Sequence, residues 1–538
     1  MSDYDYVIVG AGSAGCVLAN RLASAGAEVL LIEAGGRDRS PKIKIPAAFP
    51  QQFRTKLDWD FATGPEPGCD GRELFVPRGK TLGGSSSMNA MLYVRGHRID
   101  YDGWRDEHGC AGWGWDDVLP YFIRSEHHEA GASPTHGYGG LLNVAPPRSP
   151  RKLTDLMVGA CRAAGYPDDG DYNDGDPSGV SLVEVTQRNG RRWSTADAFL
   201  RPAAGLPNLE IATGVTALGL ELDGERVRGV KLAGRAPAAT VRARKEVILA
   251  AGAVGSPQLL MLAGIGERGK LEAAGIEPAI ELPGVGANLQ DHPFCVCIWE
   301  SAIAGSLADG EKPAALLDWL LRRRGPLTSS VAEAFLFTRS GGGDGPPDLQ
   351  FHLAPAYFAD NGFEEFDGHA LTIGPVLVEP KARGELTLRS ADPAAKPKLI
   401  GNHLVEDADI AAMVAGMKVA RELAATEPLA AAVGREIYPG PAVGTSDDEL
   451  AADARRRTEL LYHPVGTCAM GAGADAVVDP ELRVRGVEGL RVADASVMPQ
   501  ITRGNTHAPT VMIAEKAADL ILGNEPLSRA GERVGAAG

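Results

Sequence analysis

Apolar positions along the chain follow two different periods. Residues 4–9 (YDYVIV) and 28–33 (EVLLIE) are short apolar runs, the first stopped by Gly10, and both predict buried strands. Residues 13–25 between them predict a helix whose small side chains let it lie close to a sheet. A strand–helix–strand unit crosses over right-handed, which places its two strands in one parallel sheet. Residues 215–251 predict a β-meander of VTALGLEL, RVRGVKLA and TVRARKEVILAA, with a turn at Asp223 and Gly224. Its first two strands alternate, and the third ends in the continuous apolar run of a strand covered on both faces. From about 300 to 455 the character changes. Residues 316–324 (LLDWLLRRR) predict a short amphipathic helix, 340–347 a flexible loop, and 406–425 an Ala-rich helix. Residues 349–353, 371–377 and 385–390 predict strands of a second sheet, and the arginines 455–457 read as a solvated face. A late strand at 490–493 and a helix at 510–522 complete the pattern, and the small, polar tail after Pro526 is expected to be disordered.

With 538 residues, the chain is expected to form more than one structural unit. The formal net charge of -16 argues against nucleic acid or an anionic membrane surface as a partner, although a local field can oppose the global one. Seven scattered cysteines fit reduced thiols in a cytoplasmic protein. The C-x-C pair at Cys295 and Cys297 lacks the further ligands of a zinc site, so no metal is expected. The N-terminus enters a strand at once, without the basic-then-apolar pattern of a signal peptide. Residues 247–266 are almost uncharged, but Gly252, Gly255, Ser256, Pro257 and Gln258 break them at the centre. Strand, turn and buried helix suit that segment better than a membrane span.

Four segments carry chemistry. Gly10-Ala11-Gly12-Ser13-Ala14-Gly15 is a G-x-G-x-x-G between a predicted strand and a predicted helix, and Glu33 ends the next strand. That context makes it a dinucleotide fingerprint. Gly10 permits the turn, Gly12 admits a pyrophosphate, Gly15 lets the helix pack, and the helix N-terminus offers unpaired N–H groups. Glu33 would accept ribose hydroxyls and disfavours a 2′-phosphate; the motif leaves FAD and NAD open. Asp494, at the end of the late strand, is placed either to bond a cofactor hydroxyl or to form a turn. Gly504-Asn505-Thr506-His507-Ala508-Pro509 leads into a helix whose N-terminus could stabilise negative charge. His463, in YHPVGTC, is a candidate base because neutral imidazole can take a proton near pH 7. His97, His292 and His352 have no comparable setting in the sequence.

In order along the chain, these segments resemble the glucose–methanol–choline (GMC) oxidoreductases. The resemblance rests on GAGSAG with Glu33, the loop 78–96 (RGKTLGGSSSMNAMLYVRG), the segment 252–266 (GAVGSPQLLMLAGIG) and the stretch from His463 to Pro509. NLQDH at 288–292 and SADP at 390–393 add to it, and the choline dehydrogenase-like alcohol dehydrogenases and oxidases look nearest. The resemblance implies an α/β chain with a Rossmann-like FAD-binding domain, from 1–155, 195–300 and 456–538. A second, α+β substrate-binding domain on a mostly antiparallel sheet would come from 156–194 and 301–455. It implies oxidation of an alcohol, expected to be primary, to an aldehyde or ketone by hydride transfer to flavin N5. Lyase or photodecarboxylase chemistry is the alternative within the family. By position, His463 and His507 are the implied catalytic pair, with His463 as base. Asn505 and Thr506 would sit at the flavin pyrimidine edge. Arg78, Gly83, Gly84, Ser85, Asn89 and Ala90 would line the flavin, and Val215 the adenine side. Ala34, Ala251, Gly252 and Ala495 complete the expected cofactor contacts, and Glu333 and His352 are expected in the substrate pocket. Met88 stands where some members carry a flavin-linking His, so FAD is expected to be bound non-covalently. His507 replaces the Asn of choline-type members. Oxygen, a quinone and a carrier protein all stay open as electron acceptor.

Overall fold

The computed structural model describes residues 3–528, so the expected tail lies almost wholly outside the described residues. The chain builds two large sheets. The first runs Leu209–Thr213, Val29–Glu33, Asp3–Val9, Thr240–Leu249, Arg226–Gly234, Val215–Asp223, and Leu490–Val492 pairs in parallel with the end of Thr240–Leu249. Asp3–Val9 and Val29–Glu33 pair in parallel with Val7 opposite Leu30, as the strand–helix–strand pattern requires. Every residue of Val29–Glu33 is buried, because helices cover the sheet. Helix Ser13–Ser24 packs against helix His507–Leu522, and Arg21 reaches across to chelate the buried Glu515 through both carboxylate oxygens, at 2.9 and 2.7 Å.

The second sheet is antiparallel throughout, in the order Val433–Tyr438, Cys297–Ser301, Ala370–Leu377, Leu349–Ala354, Ala334–Thr338, Gly179–Leu182. The short strand Pro293–Phe294 pairs with Ala370–Leu377 on one side and with Glu459–Leu460 on the other. Helices Lys152–Ala163 and Asp407–Ala424 pack on this sheet. The architecture is α/β, a Rossmann-like sheet, parallel except for the antiparallel strands Arg226–Gly234 and Val215–Asp223, joined to an α+β unit on an antiparallel one. Pro293–Phe294, Cys297–Ser301 and Glu459–Leu460 all belong to the second sheet and so cross the expected boundaries at 300 and 456.

Three local expectations need correction. Glu385–Thr387 pairs with Lys398–Ile400 in a separate two-stranded ribbon, because the chain turns back through 388–397 before it can reach the main sheet. Of the arginines 455–457, only Arg456 is solvated. They end helix Asp447–Arg457, where Arg455 donates to Leu404 O at 3.0 Å, and Arg457 bonds Asp453 and Val296 O and lies over the Tyr438 ring. Basic residues in a last helical turn find carbonyls and the negative helix end there. Helices Arg98–Asp106, Trp115–Ser125 and Lys152–Ala163 formed from segments assigned no element. Residues 247–266 form the end of a strand, helix Gly252–Leu262 and the strand Ile265–Gly266, and no described helix is long and apolar enough to cross a membrane.

Candidate active site

Four parallel strands of the first sheet end at one cavity of about 590 Å³, a size that suits a small molecule or cofactor group. Val9, Gly10, Glu33, Ala250, Ala251 and Asp494 lie at or just past the strand ends and line it, the position where open α/β sheets bind ligands. Ser13, Ala14, Ala34, Arg78, Gly84, Ser85, Asn89, Ala90, Val215, Gly252, Ala495, Asn505, Thr506, His352, His463 and His507 share its wall.

The fingerprint region has the shape of a phosphate cradle. A Cβ on Gly12 would meet nothing closer than 4.0 Å, so the space before it opens into the cavity. Gly10 sits at φ +103, where a Cβ would come within 2.5 Å of Ala250 O. Gly15 does not line the cavity; a Cβ there would lie 1.8 Å from Gly10 O, so it closes the helix onto the turn. Gly83 likewise stands behind the wall and docks its loop by donating N–H to Ala11 O at 2.8 Å. Helix Ser13–Ser24 begins with no side-chain cap and no acidic residue in its first turn, and helix His507–Leu522 does the same. Both present unpaired N–H groups and positive dipole ends to the cavity, a setting suited to anionic groups.

Two acidic residues differ in what they can offer. Glu33 accepts N–H groups from Ala11 and Gly35 at 3.1 and 2.7 Å, one on each oxygen, which leaves lone pairs for ribose hydroxyls. Burial nonetheless pushes its carboxyl up to about 7. Asp494 lines the cavity, but Gly252 N, Ser256 Oγ, Ser496 N and Ser496 Oγ already fill its four lone-pair sites. Of its two expected roles, the turn-forming one describes what this carboxylate does. Glu333 requires correction: it is buried away from the cavity wall, and its oxygens accept Arg151 N, Thr154 Oγ1 and Ser329 Oγ at 2.7, 2.6 and 2.7 Å. It ties the strand Ala334–Thr338 to helix Lys152–Ala163.

The histidines are assembled by strand register. Pairing of Pro293 with Leu460 sets His292 beside His463, and the two Nδ1 atoms lie 3.0 Å apart. Asp291 Oδ1 accepts both backbone N–H groups, from His463 at 2.7 Å and His292 at 2.8 Å. Tyr462 stands left-handed at φ 65, so the backbone turns sharply just before His463. Asn505 Nδ2 lies 3.2 Å from His463 Nε2, and Gln350 Nε2 donates to Asn505 Oδ1 at 3.4 Å. Burial, then His292, Arg78 and His352, holds the His463 pKa well below the ordinary value. His507, the first residue of its helix, meets Ser13 Oγ through Nδ1 at 3.1 Å, and its Nε2 is buried without a partner. Burial, then Arg192, lowers it to about 4. Both histidines are therefore neutral near pH 7. His292 and Asp291 were missed as site residues: NLQDH marked the segment, but nothing in the sequence tied it to His463. Phe49, Phe53 and Phe358, which give the cavity its aromatic wall, also carried no sequence signal.

Away from the cavity, His128, His136 and Glu184 lie close enough to suggest a metal centre. His136 instead uses both ring nitrogens on Glu126 and Asp171, and these carboxylates raise it to about 9 against the opposing effect of burial. A protonated imidazole has no lone pair for a metal.

Fold and cavity together fit a dinucleotide-binding α/β protein, and comparison with known proteins specifies the family. The GMC oxidoreductase family models match residues 4–294 and 380–514. The chain is 43% identical over 529 residues to an alcohol dehydrogenase [acceptor] of Pseudomonas putida, covering 96% of each. It is 42% identical over 542 residues to an oxygen-dependent choline dehydrogenase of Brucella ovis, covering 98% of this chain and 97% of the relative. Among solved structures, pyridoxine 4-oxidase from Mesorbium loti superposes with a TM-score of 0.89 at 33% identity, over 97% of this chain and 99% of that one. A formate oxidase variant of Aspergillus oryzae gives 0.90 at 30% identity, over 97% and 98%. The chain belongs to the GMC oxidoreductase family, and FAD is its cofactor.

Proposed function

We propose that this protein oxidises a primary alcohol to the aldehyde, with His463 as the general base. Bound FAD supplies the two-electron acceptor for the hydride that leaves the carbinol carbon. The cradle from Gly10 to Gly15 with Glu33 would hold its dinucleotide end, and Gly84, Ser85, Asn89, Ala90, Asn505 and Thr506 would hold its ring. One observation carries the reading: a neutral, partly buried His463 faces the cavity with its ring fixed from both sides.

His292 and Asn505 together set which nitrogen of His463 is basic. Gln350 Nε2 donates to Asn505 Oδ1, which turns the Asn505 amide N–H toward His463 Nε2. That nitrogen therefore accepts, so a neutral His463 carries its hydrogen on Nδ1 and points it at His292 Nδ1, which leaves the His292 hydrogen on its buried, unpartnered Nε2. His463 then donates Nδ1–H to His292, and its Nε2 lone pair is the base. Asn505 donates to that nitrogen until a substrate hydroxyl replaces it. His507, anchored by Ser13, turns its unpartnered Nε2 to the same cavity and holds the alcohol oxygen. The aromatic wall of Phe49, Phe53 and Phe358 excludes water and suits an apolar alcohol body.

The test is anaerobic mixing of the FAD-loaded protein with a panel of primary alcohols while flavin absorbance is followed. Wild type should bleach. His463→Ala should keep its flavin and bleach roughly 10²–10⁴-fold more slowly, the usual contribution of a positioned base. Bleaching at the wild-type rate in that variant would remove His463 from the role. Wild type that stays yellow with every alcohol would shift the weight to lyase or decarboxylase chemistry.

A further inference from the structure

Helix Pro313–Arg322 seats Ala315 and Trp319, one turn apart, against the molecule, and Trp319 Nε1 donates to Gly190 O at 2.9 Å. Leu316, Leu317, Leu320 and Leu321 follow those anchors by one and two positions and so turn outward together. Their exposures are 45%, 57%, 51% and 75%. A single exposed leucine is ordinary, but four on adjoining helical positions make a contiguous apolar patch.

Positive charge borders this patch. The helix runs into Arg322, Arg323 and Arg324, with Arg323 left-handed at the cap. The adjoining ribbon of Gln187–Arg188 and Arg191–Arg192 turns Arg188 and Arg191 to solvent. Its turn packs on the helix end: a Cβ on Gly190 would lie 2.5 Å from Arg323 O. A groove of about 530 Å³ lies between them, lined by Lys44, Arg188, Arg191, Arg192, Arg201 and Arg323. Lys44 and Arg201 are neutralised by Asp38 and Asp197. Among the described residues, no carboxylate pairs with the other four. Arg323 Nη1 is buried without a hydrogen-bond partner, whereas Arg192, only 1% exposed, forms the floor of the groove with its guanidinium held by Ile43 O, Ser86 O and Asn89 Oδ1. This concentration of cations stands against a chain balance of -16.

We propose that this face docks on an anionic lipid bilayer, with the leucines in the acyl–headgroup boundary and Arg188, Arg191 and Arg323 on lipid phosphate. An amphipathic helix lying in the interface combines these two features, apolar burial and attraction to anionic lipid. The other occupants fit less of the face. A free oxyanion would satisfy the groove and leave the leucines in water. A second copy, paired about a two-fold axis, would press arginines against arginines. The net negative charge does not prevent docking, because charges beyond a Debye length of about 8 Å are screened and the contact patch dominates. Past the helix, the chain passes through Pro326–Thr328 and reaches the cavity wall at Ser330 and Val331, so the docked face lies close to the site along the chain.

The FAD-loaded protein is sedimented with sucrose-loaded vesicles of phosphatidylcholine alone and of phosphatidylcholine mixed with phosphatidylglycerol. It should pellet with the mixed vesicles, pellet less as salt rises, and stay in solution with the neutral ones. Leu317→Ser with Leu321→Ser, and separately Arg188→Gln with Arg191→Gln, should each lower partitioning about tenfold or more while flavin absorbance and alcohol oxidation persist. The proposal fails if the wild type ignores mixed vesicles, or if both double variants pellet like it. It fails equally if inorganic phosphate binds but vesicles do not, or if the leucine variant only turns a dimer into a monomer.

Discussion

His292 touches no reacting atom in the proposed reaction, yet it fixes the tautomer of the residue that does. Its loss therefore predicts more than a stability defect. His292→Ala should bind FAD and leave KM for the alcohol near wild type, while kcat falls by about 10²–10⁴, the scale seen when a base is held in the wrong tautomer. The pH profile separates this from general damage. His463 must be neutral to act, and burial first, then His292, Arg78 and His352, holds its pKa well below 6.5. In wild type, kcat/KM should stay level as pH falls through 6.5 and decline only below it. Removing His292 relieves part of that depression, so the acid limb should move upward. An unchanged kcat with an unmoved limb would show that His292 is only packing. The sequence could not reveal this contact, because 171 positions separate the two histidines. They meet through the pairing of two-residue strands, Pro293–Phe294 with Glu459–Leu460, too short to leave a hydrophobic pattern. Glu333 failed for the opposite reason: the resemblance of its segment pointed to a pocket, and only its three hydrogen-bond partners show that it points elsewhere.

At the scale of elements, legibility followed local pattern. The strands Asp3–Val9 and Val29–Glu33, the helix between them and the meander were readable, because each has a period and a Gly or Asp stop of its own. The second sheet was readable only in part. Gly179–Leu182 has no apolar run, and its place at the sheet edge comes from its pairing with Ala334–Thr338. The contact between the fingerprint turn and the Gly/Ser loop was likewise visible only as two glycine-rich segments. Gly84 sits at φ +51, and a Cβ on it would lie 2.6 Å from Gly12 Cα, a backbone atom that cannot move without opening the cradle. Gly84→Ala should therefore cost about 1–3 kcal/mol and yield protein with a low flavin-to-protein absorbance ratio and a lower melting temperature. Gly219→Ala, whose Cβ would meet nothing within 4 Å, is the matched control and should retain flavin. Equal flavin content in the two variants would show that the loops do not need this close approach.

Across the whole molecule, the cavity draws on both sheets: Val9 and Glu33 come from the first, His352 and Thr372 from the second. Cofactor binding should consequently report on the entire fold, and Glu33 gives that coupling a pH signature. Its carboxyl is raised to about 7 by burial, despite the N–H groups of Ala11 and Gly35. Hydroxyl donors from a ribose would add to those that favour the ionised form, so binding should lower this pKa and release a proton. The sign follows: below about 7 the protonated carboxyl must give up its proton before FAD can use it, so affinity should rise with pH and level off above about 7. Such a measurement needs a cofactor that comes off, which Met88 favours, because a thioether offers no ring nitrogen for a flavin link. Denaturation and precipitation should leave all the flavin in the supernatant, and flavin held in the pellet would refute the non-covalent reading. With FAD stripped, titration of the refolded protein from acid to neutral pH should show tightening in wild type. Glu33→Gln should bind more weakly, on the order of tenfold for one lost charge-assisted hydrogen bond, with a flat pH dependence. A wild-type affinity indifferent to pH would mean that the ribose hydroxyls bond elsewhere and that Glu33 serves only to brace Ala11 and Gly35.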